Sequence, residues 1–135
     1  MIIADLRSEF VTCDESTLAH VLKRRFNGMN EFRMVQQGSE YPVLVVWVNG
    51  DCAWLCFVAC AERATFHSIG KENAREGTMR FVSAGPQEEQ VPLAQVIPFC
   101  DALRAANEFL VTGKMPTCVC WHDDETMKEH VTRKN

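Results

Sequence analysis

Seven cysteines and four histidines are the side chains of this chain best suited to chemistry. Cys118, Cys120 and His122 alternate, so on a β-strand they would share one face and offer two thiols and an imidazole to a zinc ion. The Cys-x-x-Cys knuckle usual in such sites is missing, and a fourth ligand would have to come from elsewhere. A cysteine thiolate beside His67 or His122 would make a nucleophile, although so many cysteines and histidines offer such pairs by chance. Asp123, Asp124 and Glu125 could serve as paired carboxylates, yet beside a polar tail they read as solvated charges. There is no Gly-rich phosphate loop, no Gly-x-Ser-x-Gly elbow, no His-Glu-x-x-His and no deaminase-type His-x-Glu with Cys-x-x-Cys. The odd cysteine count favours reduced thiols used as small apolar side chains over a disulfide framework. Cys52, Cys56 and Cys60 would fall with Trp54 and Val58 on one face of an unbroken strand, which is a packing pattern. The expectation is a protein without catalysis, cofactor or metal.

The elements that must position these side chains alternate between β and α. Glu9 to Cys13 reads as a short strand, and Asp14 then caps a helix to Phe26 that stops at Asn27-Gly28. Leu18, Val21, Leu22 and Phe26 form its apolar stripe, and Lys23-Arg24-Arg25 reads as a solvated face. Glu31 to Gln37 is a further strand. Pro42 to Val48 and Cys52 to Ala61, joined through Asn49-Gly50-Asp51, predict a β-hairpin apolar on both faces, which belongs in the middle of a covered sheet. Thr65 to Ser68 and Thr78 to Ser83 are short strands, Lys71 to Gly77 and Gly85 to Gln90 are loops, and Val91 to Ile97 is extended. Pro98 opens a second helix whose stripe is Phe99, Ala102, Leu103, Ala106, Phe109 and Leu110, ended by Gly113 and Pro116. Thr117 to Trp121 closes the fold as a strand. The expected class is α+β, a single domain over residues 1–121 with a central, mainly antiparallel sheet packed by two principal helices, then a polar tail over residues 122–135.

Length and charge bound the function. The chain has 135 residues, 47% hydrophobic and 24% charged, which matches one soluble globular domain and excludes a disordered chain, a collagen repeat and a coiled coil. A net charge of -4 argues against direct nucleic-acid binding, which needs a basic stripe. The apolar stretch Tyr41 to Ala61 is interrupted by Pro42 and Asn49-Gly50-Asp51 and does not read as a membrane span. Met1 to Asp5 lacks the basic start and sustained apolar run of a secretory signal, so the cytoplasm is the expected compartment.

Several pieces of the second half occur in a particular order. They are Phe66-His67-Ser68-Ile69-Gly70, a strand ending near Phe81, Val96-Ile97-Pro98, Ala102-Leu103 leading to Glu108-Phe109-Leu110-Val111-Thr112-Gly113, then Pro116 and Trp121. Together with the Tyr41-Pro42 entry to the hairpin and its Asn49-Gly50-Asp51 turn, this order resembles the immunity protein type one family of bacterial polymorphic toxin systems. The resemblance spans roughly residues 40 to 121; the cysteine load and the tail fall outside its pattern. It implies an antitoxin that neutralises a cognate toxin, often a deaminase, by binding it and occluding its active site or substrate groove.

The charge pattern is compatible with that partner. From Gly85 to Glu125 seven acidic residues face two basic ones, a local balance of -5. A toxin acting on nucleic acid needs a positive groove, for which an acidic surface competes. The expected toxin-binding residues are Glu72 and Glu76 in one loop, Glu88 and Glu89 in the next, and Trp121, Asp123 and Asp124 at the last strand. Another cytosolic interaction or adaptor domain and a small Cys/His metal protein are the competing readings.

Overall fold

The apolar run after Pro42 forms two strands, β4 (Val43–Asn49) and β5 (Cys52–Val58), joined by Gly50 and Asp51 with Gly50 at φ 57°. Their register runs from Asn49 opposite Cys52 to Val43 opposite Val58. Alternation along this pair sends Leu44, Val46, Val48, Ala53, Leu55 and Phe57 to one face. Val45, Trp47, Trp54 and Cys56 go to the other. Two apolar faces need two covers, and the rest of the chain supplies them. The structure, a computed structural model, describes residues 1–12, 14–61, 65–70, 76–84 and 87–124.

Helices cover the first face. Asp14 caps α1 (Glu15–Leu22) by accepting from the N–H groups of Ser16 and Thr17, and Leu18, Val21 and Leu22 are buried. α2 (Phe99–Thr112) buries Ala102, Ala105, Ala106 and Phe109, with Phe99, Leu103 and Leu110 half-buried beside them. Pro98 is its cap rather than its first turn, and Gly113 at φ 67° ends it. The second cover is a hairpin of β7 (Thr78–Val82) and β8 (Glu88–Pro92), whose Phe81 and Val91 are buried against Val45, Trp47 and Cys56.

Around β4 and β5 the remaining strands complete an antiparallel sheet. β1 (Ile2–Ala4), β2 (Glu9–Val11), β3 (Met29–Val35), β6 (Thr65–Ile69) and β10 (Cys120–Asp123) give the order β10-β6-β5-β4-β3-β1-β2. The last short strand, β9 (Ile97–Pro98), also pairs with β5. The outer edge of β5 is thus shared, β6 taking Cys56 to Val58 and β9 taking Cys52 and Ala53. Ser68 stitches the division, its Oγ accepting from the Leu55 N–H at 3.0 Å and donating to the Gln95 carbonyl at 2.9 Å. Gly70 passes so close that a Cβ there would lie 2.6 Å from the Val96 carbonyl oxygen. The fold is therefore α+β, with a mainly antiparallel sheet between a helix layer and a hairpin layer.

Several expected boundaries move. The first helix ends at Leu22 rather than Phe26, because Asn27 and Gly28, at φ 54° and 82°, make a tight turn that bonds Phe26 to Met29. Lys23-Arg24-Arg25 therefore lies beyond the helix. Arg24 pairs with Asp5 at 2.7 Å and covers the Phe10 ring at 4.9 Å, while Arg25 donates to the Leu22 carbonyl at 2.6 Å and stacks over Phe99 at 4.8 Å. Two of the three cations pin elements together instead of forming a solvated face. Glu88 to Gln90 is strand rather than loop, and the extended run from Val91 to Ile97 is broken by a 3-10 turn at Leu93–Gln95. The last strand starts at Cys120, not Thr117, because the Glu108 carboxylate accepts from the Thr117 N–H at 2.6 Å and its hydroxyl at 3.2 Å, holding that segment to α2. It continues through His122 to Asp123.

Candidate functional site

On the hairpin-covered face one line of side chains crosses the sheet from β3 to the end of β10. It begins at Glu31, 2% exposed, whose carboxylate accepts from the Trp47 indole N–H at 2.8 Å, the Ala84 N–H at 3.2 Å and the Arg33 Nε at 3.2 Å. Burial of this acid is tolerable only because donors surround it. Trp47 stacks on Trp54 with centroids 4.3 Å apart, and Trp54 stacks on His67 at 4.7 Å with rings 6° from parallel. The Trp54 N–H is taken by the Gln95 side-chain oxygen at 3.1 Å, and His67 Nδ1 meets the Asp124 carboxylate at 2.6 Å. Acid, indole, indole, imidazole and acid thus form a continuous ladder over five strands or their ends. It is sealed at the Glu31 end and partly open at His67 and Asp124, whose side chains are 20% and 32% exposed.

The ladder brings a cysteine into a suggestive position. Cys56 stands directly opposite His67 in the β5–β6 register, and His67 in turn holds Asp124, which is the residue order of a cysteine nucleophile with its base and orienting acid. The thiol does not follow. Burial first, then the negative charge of Asp124, push it up to about 12, against a smaller opposing effect of Arg33. The thiol is thereby held in its protonated form at neutral pH, which is the opposite of what an activated nucleophile needs.

The expected interface residues divide into two groups. Glu72 lies outside the described residues. Glu76 is exposed just before β7. Glu88 and Glu89 occupy adjacent positions of β8 and so point to opposite sides of the hairpin. Glu89 is opposite Phe81, on the side turned to the sheet, while Glu88 is opposite Val82 and pairs with Arg80 at 3.3 Å. This hairpin packs on β3 and β4. Trp121, Asp123 and Asp124 lie at the sheet edge instead, with β5 and β6 between the two groups. The Trp121 ring faces the helix layer, 6.2 Å from Phe57, and its N–H donates to the Pro116 carbonyl at 2.8 Å. Asp123 shares that side by register opposite Phe66, and Asp124 turns to His67.

Cys120 and His122 share a strand face, but Cys118 precedes the strand, so the three-residue alternation proposed for zinc is not kept. Among the described residues no group of three or more His, Cys, Asp or Glu could hold a metal ion. Nor is any helix among them long and apolar enough to cross a membrane.

Sequence reasoning missed Glu31 and the stacking of Trp54 on His67. Trp47 and Trp54 stand equally far from the Gly50-Asp51 turn, so hairpin register alone would have paired them. Nothing local marks Glu31, whose partners Trp47 and Ala84 lie 16 and 53 positions away.

Comparison with known families gives a match over most of the chain. The family model described as Immunity protein Imm1 covers residues 14–123, from the cap of α1 to the end of β10. No curated protein matches the chain.

Proposed function

The chain belongs to the Imm1 family of immunity proteins, and on that premise we propose that it neutralises a cognate toxin by binding it and occluding the active site or substrate groove. The toxin is a deaminase acting on nucleic acid or nucleotides, and the complex forms in the cytoplasm. The immunity protein performs no reaction of its own. The observation that carries this reading is the extent of the family match, which takes in both helices and the sheet from β3 to β10 rather than one motif. The neutral Cys56 thiol supports the non-catalytic part, since the arrangement nearest to a catalytic one lacks its nucleophile. The local charge of -5 supports a partner with a positive groove.

The acids Glu72, Glu76, Glu88, Glu89, Asp123 and Asp124, with Trp121, are the proposed contact residues. Because the described ones among them lie on or just before the hairpin layer and on the far edge of the sheet, the toxin touches the protein at two places or engages one group alone. The test is a pull-down from the native cell. The expected result is a toxin domain in 1:1 stoichiometry whose deaminase activity falls when the purified protein is added. A stoichiometric partner with no toxic activity would replace this reading with the adaptor one.

A further inference from the structure

Beside the junction of β6 and β9 lies a cleft of about 300 Å³, lined by the end of β6 at Ile69 and Gly70, the Leu93 to Pro98 segment, the start of α2 and Cys118 to Cys120. Ile69, Leu93, Ile97 and Val119 make it apolar, and Cys118 and Cys120 stand among its lining residues. Among the described lining residues a single side chain is charged, Asp101 in the first turn of α2. Glu108 lies close by, bonded to Thr117 next to Cys118. The space suits one long side chain rather than a cofactor-sized ligand.

Its chemistry selects the occupant. An anion entering here would meet Asp101, with no cation among the described lining residues to offset it. A wholly apolar side chain would desolvate the carboxylate without giving it a partner. A lysine or arginine fits both parts, laying its methylene stem along the apolar walls and setting its head group at the acid. We infer that this cleft receives a lysine or arginine side chain of the toxin, a contact that rests on the immunity reading above. A nucleic-acid-directed toxin carries such side chains around its groove, so one residue taken from that groove both anchors the complex and subtracts from substrate binding.

Thiol labelling reads the occupancy directly. Cys120 lines the cleft, and Cys60, an exposed thiol outside it, is the control for iodoacetamide labelling followed by mass spectrometry. The probe is n-butylguanidinium, with n-butanol as a neutral molecule of the same stem, both at tens of millimolar as suits fragments of this size. The cation should slow labelling of Cys120 roughly threefold, leave Cys60 unchanged and outdo the alcohol. In Asp101→Asn the two probes should act alike. No slowing, or equal slowing by both probes in the unsubstituted protein, overturns the inference. Against the toxin recovered in the pull-down, Asp101→Asn should bind about tenfold more weakly at an unchanged Tm. A toxin that binds Asp101→Asn and the unsubstituted protein alike removes this contact and leaves the immunity reading standing. Recovery of no toxin removes that reading, and this occupant with it, whatever the probes do.

Discussion

Trp47 donates its indole N–H to the buried carboxylate of Glu31 at 2.8 Å, and Ala84 at the end of the hairpin layer donates to the same oxygen at 3.2 Å. One carboxylate oxygen thus ties β3, β4 and the covering hairpin together. Apolar packing of Phe81 and Val91 drives the hairpin onto the sheet, and this directional contact fixes where it lands.

Replacing Glu31 should show the size of that contact. Glu31→Leu takes the acceptor from the Ala84 N–H and leaves the Trp47 N–H only the Ser83 hydroxyl at 3.3 Å, and is expected to cost about 2 kcal/mol. Glu31→Gln keeps one oxygen and should cost about 1 kcal/mol. Urea denaturation measures both, and equal midpoints for the two variants would show that the carboxylate merely fills space.

Phe109 is fully buried and meets Phe57 edge-on, with centroids 6.0 Å apart at 83°. Phe109→Ala should therefore destabilise by about 3 to 5 kcal/mol. Leu103→Ala, at the half-buried flank, should cost less. The reverse order would relocate the helix face.

Cys56 gives a pH signature. Its thiol, ordinarily 9.0, is raised to about 12, so the folded protein keeps a proton that the unfolded chain releases. The stability this contributes is full below pH 9.0 and is lost as the pH rises toward about 12. Denaturation midpoints compared with Cys56→Ala should converge over that window. Iodoacetamide at neutral pH should modify the exposed Cys60, Cys100 and Cys120 and leave Cys56 intact, a result mass spectrometry checks.

Asp5 shifts the other way. Burial acts to raise its carboxyl, but hydrogen bonds from Arg24, the N–H groups of Arg7 and Ser8, and Asn30 outweigh it and hold it below the ordinary 3.8. Its contribution is present above that ordinary value and disappears as the pH falls through the lower folded one. Asp5→Asn is expected to cost about 2 kcal/mol at neutral pH, with the difference closing in acid. A gap independent of pH would mean that shape, not charge, matters at this position.

The interface proposal is tested with single changes. Glu88→Lys, on the outer side of the hairpin, should slow association with the toxin and flatten its salt dependence. Glu89→Lys, turned toward the sheet, should act less on encounter and more on stability. Trp121→Ala loses its contact with Phe57 and its bond to Pro116, so its Tm must be measured before its dissociation rate is read. A folded Glu88→Lys that associates at the original rate at low salt would exclude this side of the hairpin.

The central hairpin was legible because its apolar residues fill both faces of the period-two pattern, a signal needing no distant partner. The second helix was legible from its stripe and the Gly113 stop. β8 was not, since Glu88, Glu89 and Gln90 carry little strand preference and are held extended by pairing with β7. β1 was missed for a similar reason, its three residues acquiring strand structure between β2 and β3. The ladder combined a readable half, Trp47 with Trp54, and an unreadable one, since Glu31, His67 and Asp124 join it through register set elsewhere.

Strand order also sets a schedule for synthesis. β6 gains its outer neighbour only when Cys120 to Asp123 have been made, and the Phe57 side of the sheet waits for Phe109. At ordinary translation speeds of about 5 to 20 residues per second, the growing chain carries an uncovered apolar face for several seconds after β6 emerges. The sheet edge formed by β10 is therefore completed late in each chain's manufacture. A ribosome that stalls between β6 and β10 leaves behind a half-sheet with its apolar face uncovered, the kind of species that aggregates or is bound by chaperones.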